Sequence, residues 1–233
     1  MNVSKVKALT FDTGGTILDW YSGFKSGFED IARKNNLSFN VNSLSKEFRK
    51  KSLGTITQQD KNNLINFDDA HKKAIEEICK EQSIKISQTD KRHLFYEVPA
   101  KLNVWPDFLE PFRLLKERFL CVSFTLLSNR LVFLNSKNNG INWDLVLSCE
   151  TLEIYKPNIE AYNKTAKLLQ LEPNECAMVA CHSFDLNAAQ KAGFKTIFVK
   201  REKEWGPDTE VSVDGAYDMV VSDFNELRAL INN

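Results

Sequence analysis

The sequence predicts an α/β fold: a Rossmann-like parallel sheet with helices on both faces, plus an inserted helical cap. Three observations carry that expectation. Short β-rich runs recur from residue 119 onward, and stretches with apolar spacing of three and four separate them. A similar run, "VKALTF", stands near the N-terminus. The interval from 21 to 102 holds no convincing strand and many charged residues.

In chain order, "VKALTF" is the first strand, and it ends on a lone carboxylate, Asp12, followed by "TGGT". The next block is patterned as helices around "FKSGFEDIARKN", "LSKEFRKKS" and "FDDAHKKAIEEICKEQ", and "LNVWPDF" marks the return to the sheet. Further strands are expected at 119–127, 144–148, 176–180, 195–199 and 218–222. Helices are expected in "FLEPFRLLKER", "NIEAYNKTAKLLQ", "DLNAAQKAGF" and "FNELRALI". Lys156-Pro157 is expected to open one of them, with proline in the first turn, where no amide donor is lost. Strand alternating with helix implies parallel pairing through right-handed crossovers. The expected domains are a core of residues 1–20 and 103–233 and a cap of residues 21–102.

A chain of 233 residues can form one core domain with a smaller insert. Lys+Arg 31 balance Asp+Glu 31, so no net field favours nucleic acid or an anionic membrane. The longest apolar run, "FLCVSFTLL", has about half of the roughly 20 residues that span a bilayer. The cysteines, Cys 5 in all, lack CxxC or zinc-knuckle spacing, and those in apolar runs read as small buried hydrophobes. With no signal-peptide pattern before the first strand, a cytoplasmic location is expected. A homodimer stays open, since it would need an exposed apolar stripe.

Ligands of an open parallel sheet bind beyond the carboxyl ends of its strands. Asp12 follows the first strand, Ser128 and Asn129 the second, Lys156 the third, and His182 and Asp185 the next. Singly, these are a turn serine and asparagine, a surface lysine and a helix-capping aspartate. Together, polar groups from four strands converge on one rim, which is how a catalytic site is assembled.

These residues resemble the motifs of the haloacid dehalogenase superfamily of hydrolases. The first motif is matched by Asp12, Gly15 and Thr16, the second by Ser128, the third by Lys156-Pro157, and the fourth in part by Asp185. The resemblance covers essentially the whole chain and implies Asp12 as nucleophile beneath a helical cap. Two departures narrow the chemistry. Phosphatases of the superfamily carry an acid two residues after the nucleophile, where this chain has Gly14, and a magnesium-binding acid where it has His182. Both losses suit the branch resembling the 2-haloacid dehalogenases, since a halide leaves without a proton and a carboxylate is already ionised at neutral pH.

That branch implies further roles. Arg49 matches a cap arginine that grips the halide, Asn129 a halide-side amide, Phe67 an aromatic wall, and Tyr162 an active-site tyrosine. Gly14 stands where the branch usually has an aromatic wall, so glycine opens that wall or lets a cap side chain fill it. The implied reaction forms an aspartyl ester at C2 of a small 2-substituted carboxylic acid and yields a 2-hydroxy acid. Thr16 and Lys156 hold Asp12, Ser128 holds the substrate carboxylate, and Asp185, His182 or both position water. No cofactor or metal is expected. Alternatives are a hydrolase opening azetidine-2-carboxylate, a phosphatase and a non-catalytic relative. "KREKEWGPD" resembles a recurrent loop of the branch, Trp20 is left without a role, and His71 and His93 are expected to face water.

Overall fold

The computed structural model describes residues 5–60 and 62–232. Its strands are β1 (Ala8–Phe11), β2 (Leu120–Thr125), β3 (Leu145–Ser148), β4 (Cys176–Ala180), β5 (Lys195–Val199) and β6 (Met219–Val221). They form a six-stranded sheet in the order β3-β2-β1-β4-β5-β6, and every pairing is parallel. Each strand lies inside the run expected from sequence. β1 and β4 are buried throughout, as strands covered on both faces must be.

Alternation along the strands sorts side chains into two layers. Leu9, Phe11, Ala177 and Val179 face one layer, where α5 (Leu109–Leu115) and α10 (Phe224–Asn232) contribute Phe112 and Leu227. Phe11 meets Phe108 and Phe112 edge-on there, with ring centroids 6.4 and 5.8 Å apart. Ala8 and Met178 face the other layer, built by α6 (Asn129–Asn139), α8 (Ile159–Leu169) and α9 (Ser183–Lys191). The short α7 (Cys149–Leu152) links β3 to the segment carrying Lys156.

Between β1 and β2 the chain is helical, as read: α1 (Trp20–Asn35), α2 (Val41–Thr57), α3 (Phe67–Glu81) and α4 (Gln88–Arg92), then a π turn (His93–Glu97) and a 3-10 turn (Val98–Lys101). Asp19, Asn40 and Asn66 cap the first three, each accepting from an early amide of its helix. Phe24, Phe48 and Phe67 from these helices join the α6–α8–α9 layer in one continuous apolar cluster.

Three details depart from expectation. His71 does not face water: it is 1% exposed among Phe24, Phe48 and Phe67, on the α3 stripe that includes Ala70, Ala74 and Ile78. Burial, aided by the Arg49 charge, holds its pKa well below the ordinary value, so the ring is neutral. His93 is part-exposed and meets Glu97 at 3.1 Å. Pro157 does not sit in the first turn of α8: the Lys156-Pro157 bond is cis and the helix begins at Ile159, capped by Asn158. The third departure is α6, whose polar sequence hides its short apolar stripe; only Leu131, Val132 and Asn135 are buried.

Candidate active site at the switch point

The strand order reverses between β1 and β4, which opens a crevice beyond their carboxyl ends. Asp12 leaves β1 with its amide donating to Val179 at 3.0 Å, and His182 leaves β4 opposite it. Asp12 is 5% exposed, and its carboxylate is held from three sides. Thr16 Oγ1 donates to Oδ2 at 2.9 Å, His182 Nδ1 lies 3.1 Å from the same oxygen, and Lys156 Nζ is 3.7 Å from Oδ1. Burial alone would raise its pKa, but the Lys156 charge and the His182 and Thr16 hydrogen bonds hold it well below the usual carboxylate range. Asp12 is therefore a buried, ionised carboxylate.

Behind it, Lys156 Nζ donates to Asp185 Oδ2 at 2.6 Å and to the Phe124 carbonyl at 2.7 Å. Tyr162 donates to Asp185 Oδ1 at 2.5 Å. Both Asp185 oxygens are thus committed, and burial together with the nearby Asp12 charge raises its pKa. The group reads as an anchor: Tyr162 and Asp185 place the Lys156 cation beside Asp12.

On the other side of Asp12, His182 Nε2 lies 2.9 Å from Glu204 Oε1, which also accepts from Trp20 Nε1 at 2.9 Å. Glu204 comes from the "KREKEWGPD" loop, which Arg201 pins by donating to the Thr16 carbonyl at 2.8 Å and to both Asp107 oxygens. Burial opposes charge on His182, yet Cys181, Glu204 and Asp12 hold its pKa well above the ordinary value. Gly15 lets Glu204 approach. Its φ is +98°, and a Cβ there would lie 2.3 Å from Glu204 Oε1. Glu204 carries no signal in the sequence beyond its place in this loop, and Trp20, with no expected role, is its hydrogen-bond donor.

Arg49 reaches in from α2. It is 4% exposed, donates through Nη2 to the Gly14 carbonyl at 3.0 Å, and lies over the Trp20 and Phe67 rings. Its buried Nε has no partner among the described residues. The space that Gly14 leaves is filled by this cap side chain, since a Cβ at Gly14 would meet Arg49 Nη2 at 3.2 Å. A cavity of ≈ 10 Å³, room for about one water, remains between Asp12, Gly14, Arg49, Phe67, His182 and Phe184.

Ser128 and Asn129 lie elsewhere. Ser128 Oγ caps α6 and donates to Asp68 of α3 at 2.5 Å, so its hydroxyl is turned to a cap carboxylate. Arg130 also pairs with Asp68. The Asn129 side chain accepts from Thr151 at 2.7 Å and does not border the cavity against Asp12. Position in the sequence put both beside Asp12; the side-chain rotations, set by Asp68 and Thr151, could not be read from it.

A magnesium ion does not fit this donor set. The Gly14 carbonyl is taken by Arg49, and His182 and Lys156 stand against the Asp12 oxygens, so the carboxylate is ringed by nitrogen donors where magnesium needs oxygen ligands.

The chain belongs to the haloacid dehalogenase-like hydrolase family, whose model matches residues 9–199. It is 25% identical over 207 residues to (S)-2-haloacid dehalogenase 4A of Burkholderia cepacia, covering 86% of this chain and 85% of the relative. The crystal structure of a defluorinating L-2-haloacid dehalogenase superposes with a TM-score of 0.90 at 26% identity, covering 98% of this chain and 96% of that one. L-2-haloacid dehalogenase from Xanthobacter autotrophicus, with chloropropionic acid covalently bound, shares the fold at 17% identity and a TM-score of 0.84, covering 98% and 99% of the two chains. No helix among the described residues is long and apolar enough to cross a membrane.

Proposed function

We propose that this hydrolase acts as a 2-haloacid dehalogenase, with Asp12 as nucleophile beneath a cap formed by residues 21–102. The observation that carries the reading is Arg49: a buried guanidinium held against Gly14, bordering with the ionised Asp12 a small cavity walled in part by Phe67 and Phe184. A cation so placed suits a departing anion that needs no proton. The names of the Burkholderia relative and of the defluorinating enzyme support the same substrate class.

In the first step the Asp12 carboxylate attacks C2 of a small 2-halocarboxylate. The carbon–halogen bond breaks with its electrons on the halide, which Arg49 receives, and an aspartyl ester forms. Lys156 and Thr16 orient the carboxylate. In the second step water adds to the Asp12 carbonyl and passes its proton to the His182–Glu204 pair. The bond from the Asp12 carbonyl carbon to the C2 oxygen breaks, and that oxygen takes a proton to leave as the 2-hydroxy acid. The remaining proton goes to solvent as the Asp12 carboxylate is restored. Esterification removes the Asp12 charge that helps hold His182 protonated, while Glu204 stays against its other ring nitrogen. Asp185, engaged by Lys156 and Tyr162, serves as support.

A panel of 2-halo acids, a phosphate ester and azetidine-2-carboxylate, read by halide, phosphate and amine release, tests the reading. Chloride from 2-chloropropionate is expected, unaffected by chelator and abolished in Asp12→Asn. Repeated turnover in heavy-oxygen water should label Asp12 itself. Label confined to product, or phosphate release restored by magnesium, would overturn it.

A further inference from the structure

We propose that Cys181, His182 and Glu204 form a binding site for a thiophilic divalent cation, zinc above all, that arrests the ester-hydrolysis step. Their ligand atoms lie within 4.8 Å of one another. Cys181 Sγ is 3.6 Å from His182 Nε2 and 3.6 Å from Glu204 Oε2, and His182 Nε2 is 2.9 Å from Glu204 Oε1. Zinc bonds of about 2.0–2.3 Å in tetrahedral geometry set ligand atoms about 3.3–3.6 Å apart. Closing on the metal needs only small shifts.

Three independent features favour a metal over a chance cluster. The donors are sulfur, nitrogen and oxygen, a set that suits zinc and not magnesium. His182 directs its other ring nitrogen at Asp12 Oδ2, 3.1 Å away, which is the carboxylate–histidine–metal arrangement that fixes a ligating tautomer. A cavity of ≈ 290 Å³ beside Cys181, His182 and Glu204 supplies an approach and room for a water as fourth ligand.

The exchange balances. The Cys181 thiol and the His182 imidazolium each give up one proton as the dication binds, so two positive charges leave and two arrive. No electron moves. With Nε2 on the metal and Nδ1–H donating to Asp12, His182 has no site left to take a proton from water. The first step, which does not use His182 as a base, still proceeds. The site stands by itself; the arrest rests on the proposed ester mechanism.

Two measurements separate those claims. Cobalt(II) added to the chelator-treated protein should show a thiolate-to-cobalt charge-transfer band with tetrahedral ligand-field bands, and Cys181→Ser should lose the charge-transfer band. Zinc should also protect the wild-type thiol from alkylation, a readout that needs no variant. With 2-chloropropionate, zinc should reduce steady turnover to a burst of about one chloride per protein, and chelator should restore steady turnover. A cobalt spectrum without the thiolate band, or unprotected Cys181, overturns the site. A thiolate band with turnover indifferent to zinc overturns the arrest. Should metal-free protein release no chloride, the dehalogenase reading fails, and the cobalt spectrum still decides the site.

Discussion

A side chain at position 14 would start 3.2 Å from Arg49 Nη2, so a larger residue and the guanidinium compete for one space. By sequence, Gly14→Tyr rebuilds a missing wall. In the structure it evicts Arg49, and chloride release should fall with it. Arg49→Ala should lower kcat by about a hundredfold to a thousandfold with little change in KM, the effect of removing a donor aimed at developing charge. Steady-state kinetics on 2-chloropropionate checks both variants; wild-type rates in Arg49→Ala would end the halide role. Much of this site was legible as residue types at strand ends. Asp12, Lys156, Asp185 and His182 come together as their positions suggested, and Thr16 and Tyr162 join them where the family resemblance put them. Glu204 was not legible, because it arrives from a loop after β5 and its approach depends on Gly15 at φ +98°.

Elements were read best where apolar spacing is regular. α3 displays its stripe openly, and the π turn at His93–Glu97 follows α4 without a pattern to announce it. Ser87 and Asp90 open α4, and Asp90 also reaches Lys34 at 2.6 Å and Asn35 at 3.3 Å on α1. The hydrogen bonds from Lys34 and Ser87 hold the Asp90 pKa at about 2. An acid depressed from its unfolded value of about 3.9 adds stability above that value, and the gain is lost as pH falls toward the folded pKa. Asp90→Asn should therefore melt below wild type near about pH 6, with the gap closing as pH falls through about 4 toward 2. Calorimetry across that range checks it; a gap independent of pH would place the loss in packing. In the opposite layer, Phe11→Ala removes a ring packed on Phe108 and Phe112 and should cost about 3–5 kcal/mol in denaturant unfolding.

For the molecule as a whole, the helical layer and the sheet are drawn together by polar contacts at one edge. Asp68 meets Ser128 and Arg130, Asn66 donates to Glu150 at 2.8 Å, and Glu150 accepts from the Asn129 amide at 2.7 Å. On the proposed function, a cavity of ≈ 10 Å³ is too small for a haloacid, and parting of these edge contacts would enlarge it. A hydrogen bond to a charged group contributes about 1.5–3 kcal/mol. Asp68→Ala should accordingly speed hydrogen exchange of α3 amides by about tenfold to a hundredfold, with the strand amides unchanged. Exchange measured by mass spectrometry tests this, and equal rates in both proteins would mean that the edge does not hold the layer down.

The cysteines acquire a meaning in this setting. A 2-halo acid is an alkylating agent, and thiolates are its most susceptible targets. Burial pushes the thiol pKa up at Cys79, Cys121, Cys149, Cys176 and Cys181, to about 12 at Cys121, Cys149 and Cys176. Cys181 stands beside Thr16, which holds Asp12, yet it is kept as a thiol while Asp12 is kept as an anion. The same burial produces opposite protonation states because Lys156 and His182 are aimed at the carboxylate. On the proposed mechanism, the fold thereby directs the electrophile to an oxygen whose ester water can cleave, and away from a sulfur whose alkylation would be permanent.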